Sequence, residues 1–218
     1  MTIQDAFAQA PLALAATAPA PVFEPVFKRS LDVSVALVAL VLTLPLLLLV
    51  ALLVVLDSRG PIFFRQARVG RGGKPFSIFK FRTMHVLENG YRIDQAQKDD
   101  PRVTRVGRHL RAFSLDELPQ LINVLLGDMS LVGPRPHARA HDEAFARAVA
   151  LYAERRAVRP GLTGWAQVNG LRGPVPTTDV LRRRTELDLW YARHASLSLD
   201  LKILARTPRE VLRRRNAF

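Results

Sequence analysis

Two adjacent carboxylates, Asp116 and Glu117, stand in a chain whose charged residues are mostly arginine. They belong to the segment Ser-Leu-Asp-Glu-Leu-Pro-Gln at residues 114–120. If Ser114 is the N-cap of a helix, Glu117 completes a capping box, but Pro119 then costs an internal hydrogen bond. If Asp116 is the N-cap, Pro119 lies in the first turn, and Asp116 is kept ionised at the positive end of the helix dipole. That position suits a phosphate pocket or a carboxylate nucleophile, and the residues alone leave capping and catalysis equally open.

Cationic side chains precede and follow this pair. Arginines recur every three residues from Arg102 to Arg111, which predicts a cationic stripe on one helical face that ends beside the carboxylates. Arg135 stands between two prolines, so its guanidinium is rigidly presented and suited to bidentate phosphate binding, unless the segment is only a turn with an exposed arginine. A glycine-punctuated segment at 159–170 has the form of a binding loop.

The secondary-structure elements that must hold these side chains are short and include both strands and helices. Two β-prone runs, 62–69 and 76–82, flank a glycine-rich turn at 70–74 and predict a β-hairpin. The turn is not a P-loop, because Pro75 stands where that motif needs serine or threonine. The last forty residues predict amphipathic helices, broken at Pro208, that lie on an anionic interface. We therefore expect an α+β fold, a mainly helical membrane-associated domain with one small β-hairpin.

One long apolar segment precedes the hairpin. Residues 33–56 carry no charge, which is enough for a helix of about 36 Å. Pro45 stands at its middle and both flanks are basic, although the positive-inside rule provides for one cytoplasmic flank. These features favour a re-entrant, Pro-broken membrane helix over residues 27–57 that bends at Pro45 and returns to the same face. The Thr43 hydroxyl could bond backbone groups freed at the bend, and a single kinked span is the alternative.

The amino-acid composition limits the classes of protein to which the chain can belong. The 218 residues include 32 Lys and Arg against 19 Asp and Glu, and residues 57–218 carry a net +14. Such a charge indicates an anionic partner, which is nucleic acid, an acidic membrane surface or a phosphorylated substrate. The absence of cysteine excludes disulfides, thiolate metal sites and cysteine nucleophiles. Residues 1–26, rich in alanine and proline, predict a flexible tail ahead of the membrane helix and of a domain at 58–218.

Five sequence segments follow the membrane helix in a characteristic order. They are Lys-Phe-Arg-Thr-Met at 80–84, Ser-Leu-Asp-Glu-Leu-Pro-Gln at 114–120, Gly-Asp-Met-Ser at 127–130, Gly-Pro-Arg-Pro at 133–136 and Arg-Pro-Gly-Leu-Thr-Gly-Trp-Ala-Gln-Val-Asn-Gly at 159–170. With them, the chain resembles the bacterial polyprenyl-phosphate hexose-1-phosphate transferases, the monotopic phosphoglycosyl transferase family. It departs from that family at the membrane helix, where the usual Ser-Pro break is Leu44-Pro45 here.

The resemblance implies a reaction and a set of roles. A UDP-sugar would bind with Mg²⁺, Asp116 would attack its phosphate and release UMP, and polyprenyl (undecaprenyl) phosphate would take the phosphosugar from the aspartyl intermediate. Glu117 is implied as the catalytic partner of Asp116, and the metal is implied at Asp116, Glu117 and Asp188. From the residues alone, an acid such as Asp188 on a helix is usually solvated or ion-paired. The cations implied at substrate phosphates are Lys80, Arg82, Arg111 and Arg135.

The same resemblance implies a place and a pathway. We expect a protein of the bacterial inner (cytoplasmic) membrane, with its catalytic domain on the cytoplasmic face and in contact with anionic lipid, that initiates exopolysaccharide or other glycoconjugate assembly. One alternative is a membrane-surface glycosyltransferase that releases UDP. The other is a membrane-tethered nucleic-acid binder, but the sequence has no standard motif for it, so no nucleic-acid partner is expected. The sugar, the polysaccharide and the oligomeric state stay open.

Overall fold

The computed structural model describes residues 26–85 and 99–213. The predicted tail at 1–26 therefore lies outside the described residues except for its last position. The described part is mainly helical with two pairs of short strands, in agreement with the predicted α+β class. The helices are α1 (Val26–Asp57), α2 (Arg105–Phe113), α3 (Gln120–Leu126), α4 (Arg139–Ala148), α5 (Trp165–Val168), α6 (Thr178–His194) and α7 (Leu197–Arg213). The strands are β1 (Phe63–Val69), β2 (Pro75–Phe81), β3 (Ser130–Val132) and β4 (Gly161–Thr163).

The predicted β-hairpin is confirmed. β1 and β2 pair antiparallel, with Phe63 opposite Phe81 and Phe64 opposite Lys80. Gly72 adopts the left-handed φ of 64° that the tight turn between the strands requires. The hairpin thus fixes the position of Lys80 near the end of β2.

The segment predicted as a binding loop is partly a packed structural element. Its residues form β4, which pairs in parallel with β3, and the short helix α5. A Cβ atom on Gly161 would collide with the Gly133 backbone nitrogen, and one on Gly133 would collide with the Arg159 carbonyl oxygen. Close approach of two backbones therefore explains these glycines.

Helix α1 is not broken at Pro45, so the prediction of a Pro-broken helix is wrong in that respect. The helix is continuous over Val26–Asp57. The missing N–H of Pro45 removes one hydrogen bond, to the Val41 carbonyl, and the turns on either side keep theirs. The Thr43 hydroxyl does not replace that bond, because it donates to the Ala39 carbonyl at 2.7 Å.

The N-terminal part of α1 is bonded to the domain that follows. The Arg29 guanidinium donates to the carbonyls of Val124 and Leu125 at 2.6 and 2.9 Å. These carbonyls belong to the last turn of α3, where backbone acceptors lack helical partners. Further along α1, the buried Asp32 carboxylate accepts a hydrogen bond from the Leu131 N–H at 3.2 Å.

The C-terminal end of α1 is held by Arg82. This buried guanidinium donates to the carbonyls of Val54 at 3.2 Å and of Ser58 and Arg59 at 2.5 Å each. The prediction that Arg82 binds substrate phosphate therefore needs correction, because its planar donors point at backbone acceptors that end a helix. Arg82 positions the C-terminal end of α1 on the domain.

The middle of α1 is apolar and exposed. Val41, Leu42, Leu44, Leu48 and Leu49 all have exposed side chains, whereas both ends of the helix contact the domain. Among the residues that the structure describes, α1 is the one helix long and apolar enough to cross a membrane. Length and composition therefore fit membrane association.

Helix α7 continues through Pro208, so the predicted break at this residue is wrong. A proline removes one helical hydrogen bond, a cost that packing of the flanking turns can offset. Ile203 is fully buried on one side of Pro208, and Val211 is half-buried on the other.

Candidate active site

The two carboxylates lie in a 3₁₀ turn, Leu115–Glu117, between α2 and α3. Ser114 ends α2 with a left-handed φ of 56°, and its side chain forms no capping hydrogen bond. α3 begins at Gln120, directly after Pro119, which has no capping side chain. Ser114 is thus the N-cap residue of this short turn, but the predicted capping box is wrong because the Ser114 side chain makes no capping bond. The prediction of Asp116 as N-cap is also wrong, since Asp116 lies inside the turn.

Glu117 is tied to two cations. Its carboxylate accepts hydrogen bonds from Lys80 Nζ at 2.7 Å and from both terminal nitrogens of Arg135 at 2.6 and 3.0 Å. Burial alone would raise the pKa of Glu117, but the charges and hydrogen bonds of Arg135 and Lys80 outweigh it and hold this pKa well below its usual range. Glu117 is therefore ionised at neutral pH and orients the two cations, in a bidentate geometry with Arg135.

Asp116 has a contrasting environment. Its residue is 8% exposed, and its carboxylate forms no hydrogen bond with any described residue. Burial raises the pKa of Asp116 to about 6, with Lys80 opposing the shift and Glu117 adding to it. Asp116 is not at the N-terminus of a longer helix, so the predicted stabilisation by a helix dipole is absent. Because the carboxylate is buried, its ionised form is also poorly solvated. Such a group is a competent oxygen nucleophile near neutral pH.

The structure brings three of the four predicted phosphate-binding cations to this place. The charges of Lys80, Arg111 and Arg135 all act on the Asp116 carboxylate and lower its pKa. Arg82, at the end of α1, does not belong to the cluster. A substrate phosphate that approaches Asp116 therefore meets a field of positive charge.

The Arg135 segment is held rigidly, as the flanking prolines predict. Arg155 donates to the Arg135 carbonyl at 2.7 Å, and Arg68 donates to the Pro136 carbonyl at 3.2 Å. Neither arginine was singled out from the sequence. No local pattern marks them, because each one's partner lies far away in the chain.

Asp188 lies on α6 and is paired with Arg155. The Arg155 Nε and a terminal nitrogen donate to the same Asp188 oxygen at 3.0 and 2.7 Å. Both residues are buried. The predicted role of Asp188 as a metal ligand is therefore not supported by its position, and the ion-pair interpretation fits the structure. Through Arg155, Asp188 supports the backbone of Arg135.

The carboxylates in the structure indicate whether this site could bind a metal ion. Within residues 26–85 and 99–213, no three His, Cys, Asp or Glu side chains are grouped as a metal site. Mg²⁺, however, commonly uses only one or two protein carboxylates and completes its shell with substrate phosphates and water. The unbonded Asp116 oxygens beside Glu117 meet that smaller requirement.

A cavity of about 470 Å³ borders the dyad on the side of α7. Glu117 and Leu118 lie in one wall, and most of the remaining lining is aliphatic. Arg172, which the sequence interpretation missed, also lines it. One terminal nitrogen of Arg172 is buried without a hydrogen-bond partner in residues 26–85 and 99–213. The only sequence signal for Arg172 is its position two residues after the glycine-punctuated segment.

If Asp116 is the nucleophile that the family resemblance implies, UMP release is expected to depend on its ionisation. Because the pKa of Asp116 is raised to about 6, its ionised carboxylate is lost as the pH falls through 6 and is mostly formed above 7. Single-turnover UMP release without acceptor should therefore decline about tenfold per pH unit below 6. Omitting the acceptor matters, because a lipid phosphate also titrates near pH 6. A flat profile between pH 5 and 7, at unchanged melting temperature, would contradict this assignment.

Comparison with known sequences places these features in a family. The family described as bacterial sugar transferase matches residues 23–214. A UDP-glucose:undecaprenyl-phosphate glucose-1-phosphate transferase of Caulobacter vibrioides is 56% identical over 191 residues, which cover 88% of this chain and 72% of that protein. The protein of the same name from Escherichia coli is 51% identical over 177 residues.

Coverage differs among these relatives. The match to the Escherichia coli protein covers 81% of this chain but only 38% of that protein. The exopolysaccharide production protein PSS of Rhizobium leguminosarum bv. phaseoli is 45% identical, over 88% of this chain and 98% of its own length. The chain thus spans less than half of one relative and nearly all of another.

Proposed function

Because this chain belongs to the bacterial sugar transferase family and is an enzyme of that family, we propose that it transfers a hexose 1-phosphate from a UDP-sugar to undecaprenyl phosphate and releases UMP. The observation that carries the proposal is the buried, unbonded Asp116 among three cations, beside a Glu117 already neutralised by ion pairs. Glucose is the first candidate sugar, since the relatives from Caulobacter vibrioides and Escherichia coli are both named UDP-glucose:undecaprenyl-phosphate glucose-1-phosphate transferases. The product would begin an exopolysaccharide or a related glycoconjugate.

The proposed chemistry has two displacements at one phosphorus atom. An Asp116 oxygen attacks the phosphorus that carries the sugar, the bond to the bridging oxygen breaks, and UMP leaves with the bonding electrons. An oxygen of the lipid phosphate then attacks the same phosphorus. The bond to Asp116 breaks, and the carboxylate is regenerated as the polyprenyl diphospho-sugar leaves. The covalent aspartyl-phosphosugar divides one transfer between two large substrates into two simpler steps.

The neighbouring side chains would supply electrostatic stabilisation. Lys80 and Arg135, held in place by Glu117, and Arg111 neutralise the charge that gathers on the phosphoryl oxygens as the bonds exchange. The rigid backbone of Arg135 lets its guanidinium act without reorganisation. These cations also allow a carboxylate to approach an anionic diphosphate.

We include Mg²⁺ in the proposal as the cofactor. Asp116 would be its first ligand, because the Asp116 oxygens have no protein donor among the described residues. Glu117, whose oxygens already accept hydrogen bonds from Lys80 and Arg135, would share an oxygen with the ion. When bound, the ion would draw charge from the diphosphate oxygens. Asp188 is left out of this set because it pairs with Arg155 and is not grouped with the other two carboxylates as a metal site in the described residues.

The proposal places α1 in the bacterial inner membrane as a re-entrant element, with the active site on the cytoplasmic face. Pro45 is nine residues from both Ala36 and Val54, or about 2.5 turns, so it lies on the side opposite these buried residues. A proline bends a helix away from its own ring. The ends of α1 would then curve toward the domain and its apolar middle would stand out into lipid.

We expect both ends of α1 to face the cytoplasm. The chain has no native cysteine, so single substitutions Ser30→Cys and Arg59→Cys can report the side of each end to a membrane-impermeant maleimide. Both cysteines should react with the maleimide in inverted vesicles but not in intact spheroplasts. Ser198→Cys, which lies in the domain, should give the same pattern and serves as the reference for the cytoplasmic side. Labelling of the two ends from opposite sides would show a single span instead.

The leaving nucleotide tests the reaction itself. Purified protein in lipid nanodiscs with undecaprenyl phosphate and Mg²⁺ should release UMP from UDP-glucose. UDP-galactose and the UDP-N-acetyl-hexosamines, assayed in parallel, would define the sugar. Release of UDP in place of UMP would mean that only the sugar is transferred, and would replace the proposal with an ordinary glycosyltransferase.

A further inference from the structure

We propose that the 470 Å³ cavity beside the catalytic turn holds the first isoprene units of the lipid acceptor, with Arg172 binding the acceptor phosphate. This inference rests on the proposed function and adds to it a binding site for the second substrate. The cavity lies between α7, β4, α5 and the 3₁₀ turn of the dyad. It places the lipid on one side of Glu117.

The lining of the cavity favours hydrocarbon over a nucleotide sugar. Aliphatic side chains such as Leu118, Leu162 and Leu204 form most of its wall. Its threonine hydroxyls are already used, since Thr163 and Thr207 bond to each other at 2.8 Å. Apart from Arg172 and Glu117, the buried Oε1 of Gln167 is an acceptor still available there. One such acceptor does not replace the water that uracil, ribose and hexose would lose, a cost that an isoprenoid chain avoids.

Arg172 supplies the polar end of this cavity. Its guanidinium has no hydrogen-bond partner among the described residues, and one of its nitrogens is buried. It is close enough to Glu117 and Asp116 for their charges to act on it. Glu210 also lines the cavity, but its carboxylate accepts a hydrogen bond from Arg213 at 2.7 Å. A phosphate is the ligand that fits an unpartnered guanidinium, and one bound here would approach the phosphorus on Asp116.

The far end of the cavity reaches the surface on α7. Leu212 lines the cavity and is nevertheless 72% exposed, and Val211 beside it is half-buried. Leu201, on an earlier turn of the same helix, is also exposed. The cavity that Arg172 lines is therefore also bordered by exposed apolar residues of α7, which suits a lipid whose tail stays in the bilayer while its phosphate enters the site.

Two assays on the same nanodisc preparations test the inference. The first is acceptor-free exchange of labelled UMP into UDP-glucose, which reports the first displacement and hence the proposed function alone. The second is the KM for undecaprenyl phosphate in the complete reaction. Arg172→Gln removes the charge, and Val211→Phe fills the cavity. The matched controls are Arg183→Gln, an exposed arginine on α6, and Leu201→Phe, an exposed leucine on α7 outside the cavity.

We expect Arg172→Gln and Val211→Phe to raise the KM for the acceptor at least about tenfold relative to their controls, as for a lost charge-assisted hydrogen bond. The KM for UDP-glucose in exchange should change much less in both. Arg172→Lys should recover part of the acceptor affinity, which a purely structural role would not predict.

Three results would overturn the inference. One is that Arg172→Gln and Val211→Phe have the same KM for undecaprenyl phosphate as their control variants. Another is a rise in the KM for UDP-glucose in place of the acceptor, which would assign the cavity to the nucleotide sugar. The third is wild-type protein without UMP exchange, which would contradict the proposed function as well. Normal exchange with an unaltered acceptor KM would leave the proposed function standing and remove only the cavity assignment.

Discussion

Replacing Asp116 with asparagine is expected to lower UMP release by about a thousandfold or more. The amide has the shape of the carboxylate but cannot form the covalent phosphosugar. Stability should not fall, because the Asp116 carboxylate is buried without a hydrogen bond among the described residues. The measurement is UMP release in nanodiscs, together with the intact mass of the protein after incubation with UDP-sugar.

The mass measurement connects the lost activity to the intermediate. Wild-type protein should gain the mass of one phosphosugar when no acceptor is present, and Asp116→Asn should gain none. Asp179→Asn serves as the control, since among the described residues its exposed carboxylate on α6 pairs only with Arg182. Turnover by Asp116→Asn at more than a few per cent of the wild-type rate would refute the assignment of the nucleophile.

The second large effect is expected at Asp188. Asp188→Asn removes the charge partner of Arg155 in a buried pair. Loss of one partner from such a pair typically costs about 3–5 kcal/mol, because the other charge stays buried and uncompensated. For a chain of this size, even the lower figure corresponds to a fall in melting temperature of roughly 6–12 °C. UMP release should also fall, because Arg155 supports the backbone of Arg135.

A control on the same helix separates this role from metal binding. Asp179→Asn breaks an exposed ion pair on α6 and should change the free energy of unfolding by less than about 0.5 kcal/mol. If Asp188 were a metal ligand, its substitution would raise the Mg²⁺ concentration needed for activity and leave the melting temperature of metal-free protein unchanged. That pattern would contradict the structural role argued here.

The sequence was most informative where a pattern is local. The hairpin follows from β-prone residues around glycines, and the interactions that decide it lie close together in the chain. The prolines around Arg135 correctly indicate a rigid segment, although arginines distant in the chain complete its support. The place of Lys80 beside the dyad comes from the family resemblance and not from a local pattern.

The failures share a physical cause. Asp116 was assigned to a helix N-terminus, since no local signal reveals that Ser114 adopts the left-handed conformation. Arg82 was expected at a phosphate, but its acceptors are carbonyls more than twenty residues earlier in the chain. Arg172 was overlooked because its significance lies in a cavity formed by α7 and β4. Contacts distant in sequence, which are set by tertiary packing, decide the positions of Arg82 and Arg172, whereas the backbone conformation of Ser114 decides that of Asp116.

The attachment of α1 at both ends has a consequence for biogenesis. Asp32 and Arg29 find their partners about a hundred residues later, at Leu131 and at the end of α3. During synthesis α1 therefore emerges first and must wait until the domain that follows has been made, with the Arg29 donors lacking their acceptors and Asp32 paired only with Lys28 of the same helix. Such distant contacts slow folding, and deletion of the helix would remove part of the core, including Ala36. Expression of the domain without α1 should accordingly yield misfolded protein and not a soluble enzyme.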